Sequence, residues 1–380
     1  NTTSDQRRQL QGALNQIAPL VTQALLAYNA SAHIVPLASA NSTNWTNTCS
    51  GTIQDLVSLP APNTPLFFGL NNQKQIVPVT FANSQMACGT PFSNDVVALA
   101  ASGNQLGALI VPSSGTAPPT VALAPANPAP ALTTAMTLTS LPGGVLPVDF
   151  AFGNNMIAVV GRSPAGGGDS VFVTTGPKYD PTKATALSMT GKVKSLSFGG
   201  NNVLYLLLDN GAIETYMTGV QTPHAVGDLQ IQPALPISAP YQYTIQTPIP
   251  TVSPNQSGNA GVMDVFGNPN GLMPRDGTPK PSPTPAPTAT PTPEPLTGPS
   301  TSLSTATVVV ADGESVPHVI VLDPTGHRAI VLQSSGLDLT LLQQYADASL
   351  LDQVAAATVA PDGHSLYLVT TNVTYQIMLP

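Results

Sequence analysis

Apolar and polar positions follow two different periods along this chain, and the change of period divides it. In the opening stretch "TSDQRRQLQGALNQIAPLVTQALLAYN", Leu10, Leu14, Ile17, Leu20, Val21, Ala24, Leu25 and Tyr28 recur at steps of three and four. Such steps lay a single stripe along an α-helix. Thr3 with Gln6 has the spacing of a capping box, and Pro19 should kink or divide the helix. The pattern predicts an amphipathic helix, with residues 1–35 as its segment. Packing against the following domain is the expected role. A second role is to continue a membrane anchor lying upstream of Asn1.

From about residue 60 the period falls to two, in short β-rich runs broken by Gly, Pro and Asn. These runs repeat. "VDFAFGNNMIAVVG" (148–161) and "VKSLSFGGNNVLYLLL" (193–208) each place Phe-Gly before an Asn pair and an alternating strand, and Phe152 and Phe198 are 46 residues apart. "ALAASGNQLGALIV" (98–111) has the same shape one unit earlier. "VLDPTGHRAIVL" and "VAPDGHSLYLV" set Gly326-His327 and Gly363-His364 in like turns 37 residues apart. Weaker copies stand at 66–79 and 264–273. Periods of this length match one four-stranded blade per repeat, and a blade buries its faces only against neighbouring blades. The expected fold is all-β: a β-propeller of six or seven blades over residues 36–380, preceded by the helix.

One tract departs from both periods. "TPKPSPTPAPTATPTPEPLTGP" (278–299) alternates Pro with small or hydroxylated residues, so it can form only an extended, unpacked segment. It predicts a Pro/Thr-rich insertion at about 276–300, a loop within the propeller that serves as spacer.

Composition narrows the function classes. Only 8% of the 380 residues are charged, against about 25% in ordinary domains, so Thr, Ser, Asn, Gln and Gly must carry the surface. Eleven basic against nineteen acidic residues, a net charge of -8, disfavour a nucleic-acid partner, which would need clustered Lys and Arg, and none is expected. Lys178, Lys183, Lys192 and Lys194 are the one basic concentration and read as solvated loops. No apolar run approaches the roughly 18 residues of a membrane span. The start at Asn1 instead of Met reads as an excised or processed fragment.

Cys49 and Cys88 are the only cysteines. A disulfide between them is the leading reading, ahead of two buried thiols. With the low Lys and Glu content, it points to an extracytoplasmic compartment, secreted or on the outer face of a membrane.

Chemistry-bearing motifs are sparse. His33, His224, His318, His327 and His364 form no metal-ligand spacing. His327 and His364, in matching turns, are candidates to converge on one rim. There is no Gly-x-Ser-x-Gly, "SPAGGGDS" (163–170) lacks the Lys-Ser/Thr of a phosphate loop, and "ADGES" (311–315) falls short of a calcium set. The Asp residues fall mostly in turns, which argues against carboxylates gathered in a central channel. No catalytic, cofactor or metal residues are assigned.

"APDGHSLYLV" (360–369), a Pro-Asp-Gly turn followed by an alternating apolar strand, resembles the units of the YVTN/NHL/TolB-like group of bacterial β-propellers. The resemblance implies the fold and no particular activity, since that group includes enzymes, periplasmic binding partners and sensor ectodomains. The expected function is a non-enzymatic extracytoplasmic propeller, a sensor or protein-interaction domain of a membrane-anchored protein. The alternatives are a hydrolase or lactonase working in the channel, and a structural subunit of a cell-envelope layer or filament.

Overall fold

The computed structural model describes residues 2–231 and 302–380, apart from breaks at 38–39, 41, 62–63, 128–129, 140, 221, 228, 230 and 348–350. The predicted helix, α1, runs Thr2–Ser31 and carries Pro19 within it. Along its stripe, Leu10, Ile17 and Leu20 are 55%, 52% and 63% exposed, while Val21 and Tyr28 are half-buried.

The chain then turns to strands earlier than the period-2 pattern suggests, with β1 (Ile34–Pro36) and β2 (Ser42–Asn47). Four consecutive blades follow. The first is β3 (Ile53–Leu59), β4 (Leu66–Asn71), β5 (Ile76–Ala82) and β6 (Gln85–Cys88). The second is β7 (Val96–Ser102), β8 (Gln105–Ile110), β9 (Thr120–Pro125) and β10 (Thr133–Thr137). The third is β11 (Leu146–Gly153), β12 (Met156–Arg162), β13 (Ser170–Thr175) and β14 (Thr185–Ser188), and the fourth is β15 (Val193–Phe198), β16 (Leu204–Leu208), β17 (Ile213–Tyr216) and β18 (His224–Ala225). The fifth is β19 (Val308–Ala311), β20 (His318–Asp323), β21 (Arg328–Ser335) and β22 (Asp338–Ala346). The sixth takes β23 (Val354–Val359), β24 (Ser365–Thr370) and β25 (Val373–Met378) from the end of the chain and β2 from its beginning.

Every hairpin within a blade is antiparallel, so each blade is an up-and-down meander with its first strand innermost. Inner strands meet in the order β3, β7, β11, β15, β19, β23 and back to β3, which closes the ring. The fold is a six-bladed β-propeller among the described residues. The weak copy at 264–273 and the Pro/Thr tract, between β18 and β19, lie outside the described residues. Ser195 Oγ meets both the amide and the carbonyl of Val309, at 3.1 and 3.3 Å, so blades four and five adjoin directly.

Packing explains the apolar runs. Six clusters of buried side chains occupy the six interfaces between neighbouring blades. The second strand of a blade faces an interface on either side, so its central positions are mostly apolar on both faces. In β16, Leu204, Leu206 and Leu208 enter the core shared with blade three, while Tyr205 and Leu207 enter the one shared with blade five. Burying each such side chain contributes about 1.5–3 kcal/mol. A blade alone would leave both sets wet, which is why the ring must close.

Closure happens at one seam. β2 pairs antiparallel with β25 over five residues and touches β6 in parallel at Thr46–Gln85 and Asn47–Met86. Thus the start of the chain completes the last blade and abuts the first. Trp45 on β2 packs on Phe81 at 5.0 Å and Tyr367 at 6.0 Å, while Phe67 lies 4.9 Å from both of these rings. Cys49, just past β2, is disulfide-bonded to Cys88 at the end of β6. The bond staples the outer strand of the sixth blade to that of the first. β1 adds a fifth, parallel strand outside β22, where Gln344 Nε2 donates to Ala32 O at 3.1 Å.

Two of the repeat alignments need correction. The 98–111, 148–161 and 193–208 copies are hairpins between first and second strands, but the 66–79 copy spans β4 and β5, and "VLDPTGHRAIVL" spans β20 and β21. These are second-to-third-strand hairpins, one strand out of phase, and their turns lie at the opposite end of the blade. His327, in the β20–β21 turn, and His364, in the β23–β24 turn, therefore sit on opposite faces of the ring. They do not share a rim.

The Gly-rich "SPAGGGDS" segment is the β12–β13 connection, and its last glycine is fixed by a close approach. A Cβ on Gly168 would lie 2.3 Å from the carbonyl oxygen of Met189. The backbone must come this close because Met189 N donates to Asp169 O there at 3.0 Å and Asp169 N to Gly191 O at 3.1 Å. Gly168→Ala is expected to cost about 1–3 kcal/mol, read as a lowered midpoint in chemical denaturation at unchanged slope.

Candidate functional site: the central channel

The six inner strands enclose a channel with a cavity of about 550 Å³. An innermost strand has a partner on only one side, so its other edge presents unpaired backbone groups to the neighbouring blade. Polar side chains answer them. Asp55 Oδ2 accepts from Leu99 N at 3.0 Å, Ser58 Oγ donates to Val359 O, and Ser197 Oγ accepts from Ala311 N at 3.0 Å. Lys194 Nζ donates to the carbonyls of Ser304 and Ala306 at 2.7 and 2.9 Å. All four clustered lysines are exposed as predicted, and Lys194 also lines the channel.

A β-bulge recurs early in the inner strand of five blades, and the residue after it is Asp55, Ala98, Asp149, Ser195 or Ala356. A bulge re-aims the following side chain, so these positions stand at one level of the channel. Blade two puts Ala98 between two aspartates. Asp149 bends back to accept from its own neighbour, Phe150 N, at 2.8 Å, leaving its second oxygen without a hydrogen-bond partner among the described residues.

Electrostatics at this level are unusual. Burial pushes the Asp149 carboxyl up to about 8; the charge of Asp55 adds to the rise, against weaker opposition from the Phe150 amide and Arg162. Asp55 is raised as well, by burial, against the hydrogen bonds from Leu99 and Leu56. Two neighbouring carboxyls disfavour each other's charge, which shifts Asp149 toward its protonated form. Arg162 offers little relief: its Nε and Nη2 hold Asp169 at 3.2 and 2.9 Å, and Nη2 also donates to Val193 O at 3.1 Å.

The opposite end of the channel is framed by the loop after β19. Buried Asp312 accepts there from Glu314 N, His318 N and His318 Nδ1, at 3.0, 3.0 and 2.9 Å. The "ADGES" turn is thus knit by its own Asp. Among the described residues, no three His, Cys, Asp or Glu side chains gather closely enough to hold a metal ion. His224 lies on the outermost strand of blade four and meets Asp338 of blade five at 2.8 Å, far from the channel.

Asp55 and Asp149 were missed as a pair because each was read as one of many turn aspartates. The signal was available: Asp is depleted in strands, yet both interrupt apolar runs, "IQDLVSL" and "LPVDFAFG".

No family model matches this chain, and no curated protein matches it. Solved structures do. The chain is similar to YCF48 bound to D1 peptide, at 8% identity over 91% of this chain and 98% of that one, with a TM-score of 0.43. It is similar to the major Malassezia sympodialis allergen Mala s 1, at 9% identity over 86% and 92%, TM-score 0.48. A third is the gluconolactonase XC5397 from Xanthomonas campestris, at 11% identity over 92% and 93%, TM-score 0.47. The six-bladed ring rests on this chain's own strand pairings.

Proposed function

We propose that this chain is an extracytoplasmic β-propeller, a helix of residues 1–35 followed by the propeller of 36–380, that serves as a sensor or protein-interaction domain of a membrane-anchored protein. The observation that carries this reading is the employment of the channel's polar side chains. Asp55, Ser58, Lys194, Ser195 and Ser197 are all engaged with backbone groups of an adjoining blade, so the axis works as the ring's inner fastening. Interaction then falls to the loops on the two faces and to the exposed Leu10, Ile17 and Leu20 of α1. A disulfide across the seam supports an oxidising compartment. Among the described residues no helix is long and apolar enough to cross a membrane, so an anchor would come from elsewhere in the protein.

Photo-crosslinking on intact cells tests it. With a photoreactive residue at Val316, exposed in the β19–β20 loop, or at Leu10 on α1, one discrete protein adduct is expected. An impermeant reagent should label Lys178 and Lys183 on the same cells. Failure to label would overturn the location, and adduct-free cells at both sites would overturn the interaction role.

One observation favours a second reading, a channel hydrolase or lactonase. A carboxyl shifted toward its protonated form, beside another carboxyl, is a candidate general acid. Turnover of a lactone panel, lost in Asp149→Asn, would support it.

A further inference from the structure

The Cys49–Cys88 bond closes the outer edge of the seam, and both cysteines are half-buried. A cavity of about 250 Å³ lies beside it, between the β4–β5 turn and the end of β6. Cys88 and Gly89 stand in its wall, and Cys49 does not. Ile53 and Val77 give the cavity an apolar side, while Asn72 and Gln73 are exposed at its rim. One end of the bond is thus set against a space with room for a small molecule. The backbone around the bond is held separately. Thr48 N and Oγ1 both donate to Met86 O at 2.9 Å, and Cys49 N donates to Asn47 Oδ1 at 3.0 Å. Cleavage therefore leaves Cys49 close to Cys88, in reach to close the bond again.

We propose that Cys88 is a site of thiol–disulfide exchange, at which a small alkyl thiol entering this cavity forms a mixed disulfide and releases Cys49 from the seam. The incoming thiolate attacks Cys88 Sγ, the bond between the two sulfurs breaks, and Cys49 leaves with the electron pair as a thiolate. That thiolate takes up the proton the reagent gave up, and one disulfide replaces another, so no oxidant is consumed. Which sulfur reacts is set by access, because attack comes in line with the bond and opposite the leaving sulfur. The cavity opens an approach to Cys88. Ile53 and Val77 receive the alkyl stem, and the volume restricts the reagent to a small one. The reverse attack, by Cys49 on Cys88 Sγ, expels the thiol and restores the staple between the first and sixth blades. The seam is in this way a latch that answers to the surrounding thiol.

The test is exchange of the full chain, its bond intact, with 2-mercaptoethanol at about pH 8, near the ordinary thiol value. The reaction is quenched at early times with N-ethylmaleimide and mapped by peptide mass spectrometry. The mercaptoethanol adduct is expected on Cys88 and the maleimide on Cys49, in at least about tenfold excess over the reverse pattern. Removal of free thiol before the quench should return the chain to its unmodified mass. Gln73→Trp places a large ring at an exposed turn position on the rim of the cavity and should slow the reaction at least about tenfold. A melting scan verifies that this variant is folded. Adducts on Cys49 or divided equally between the two cysteines, an unchanged rate in folded Gln73→Trp, or reaction only in denaturant would each overturn the proposal. The readout is chemical and requires no partner, turnover or cell, so its outcome is independent of either reading of function.

Discussion

Cys49→Ser combined with Cys88→Ser is expected to lower stability by about 3–4 kcal/mol, the loop-entropy value for a bond closing a 39-residue separation. In a domain of this size the loss corresponds to a fall in Tm of roughly 5–10 °C. Position in the ring makes the effect specific. β2 is held by five residue pairs to β25 and by only two to β6, so without the bond the first blade has little hold on the sixth at its outer edge. The amides of β2 should therefore exchange with solvent faster than those of β16, the buried second strand of blade four, which should be unaffected at first. Hydrogen exchange on the reduced or substituted protein checks this. Uniform acceleration around the ring would show that the bond stabilises the whole propeller and does not guard the seam in particular.

Asp149→Asn is expected to stabilise the protein at alkaline pH and to leave it unchanged near pH 4. The Asp149 carboxyl is raised to about 8 in the folded ring, whereas in the unfolded chain it ionises near the ordinary carboxylate value of about 4. Between these two values the folded state keeps a proton that the unfolded state has lost, so stability falls as pH rises through the window and levels off above about 8. The full shift would correspond to about 5 kcal/mol; water in the channel reduces the expected gain to about 2–3 kcal/mol. Asparagine keeps the oxygen that accepts from Phe150 N, so the local fold is preserved. Melting curves of both proteins from pH 4 to 9 should diverge progressively. Parallel curves would mean that Asp149 is ionised in the native ring.

How much of this was legible beforehand depends on the element. The Phe152 and Phe198 copies identified true equivalents because each pairs an inner strand with a fully buried one, and the Gly-Asn turn between them has a fixed shape. The 66–79 and 326–327 copies were misphased for a physical reason: an up-and-down blade has three hairpins, and turn chemistry with alternation is the same for all of them. The outer strand of blade six, β2, and the inner strand of blade one, β3, escaped notice because they precede the clean period-2 region. β2, "STNWTN", carries one large apolar residue, Trp45, and shows no strand signal until Phe81 and Tyr367 are placed around it.

The helix α1 was legible as an element, but not its surroundings. A period of three to four residues establishes that one face of a helix is apolar, and nothing in it says what that face meets.

What the sequence by itself determined is the repeating unit: four short strands, apolar where a strand is buried on both faces, in numbers that only a ring can satisfy. The single pair of cysteines was also available to it. Tertiary structure alone decided three things: that six blades close the circle, that the first strands complete the last blade, and that Asp55 and Asp149 share one cavity. Residues 55 and 149 lie 94 positions apart, and local pattern carries no information over that distance. Closure of the ring brings them to one channel.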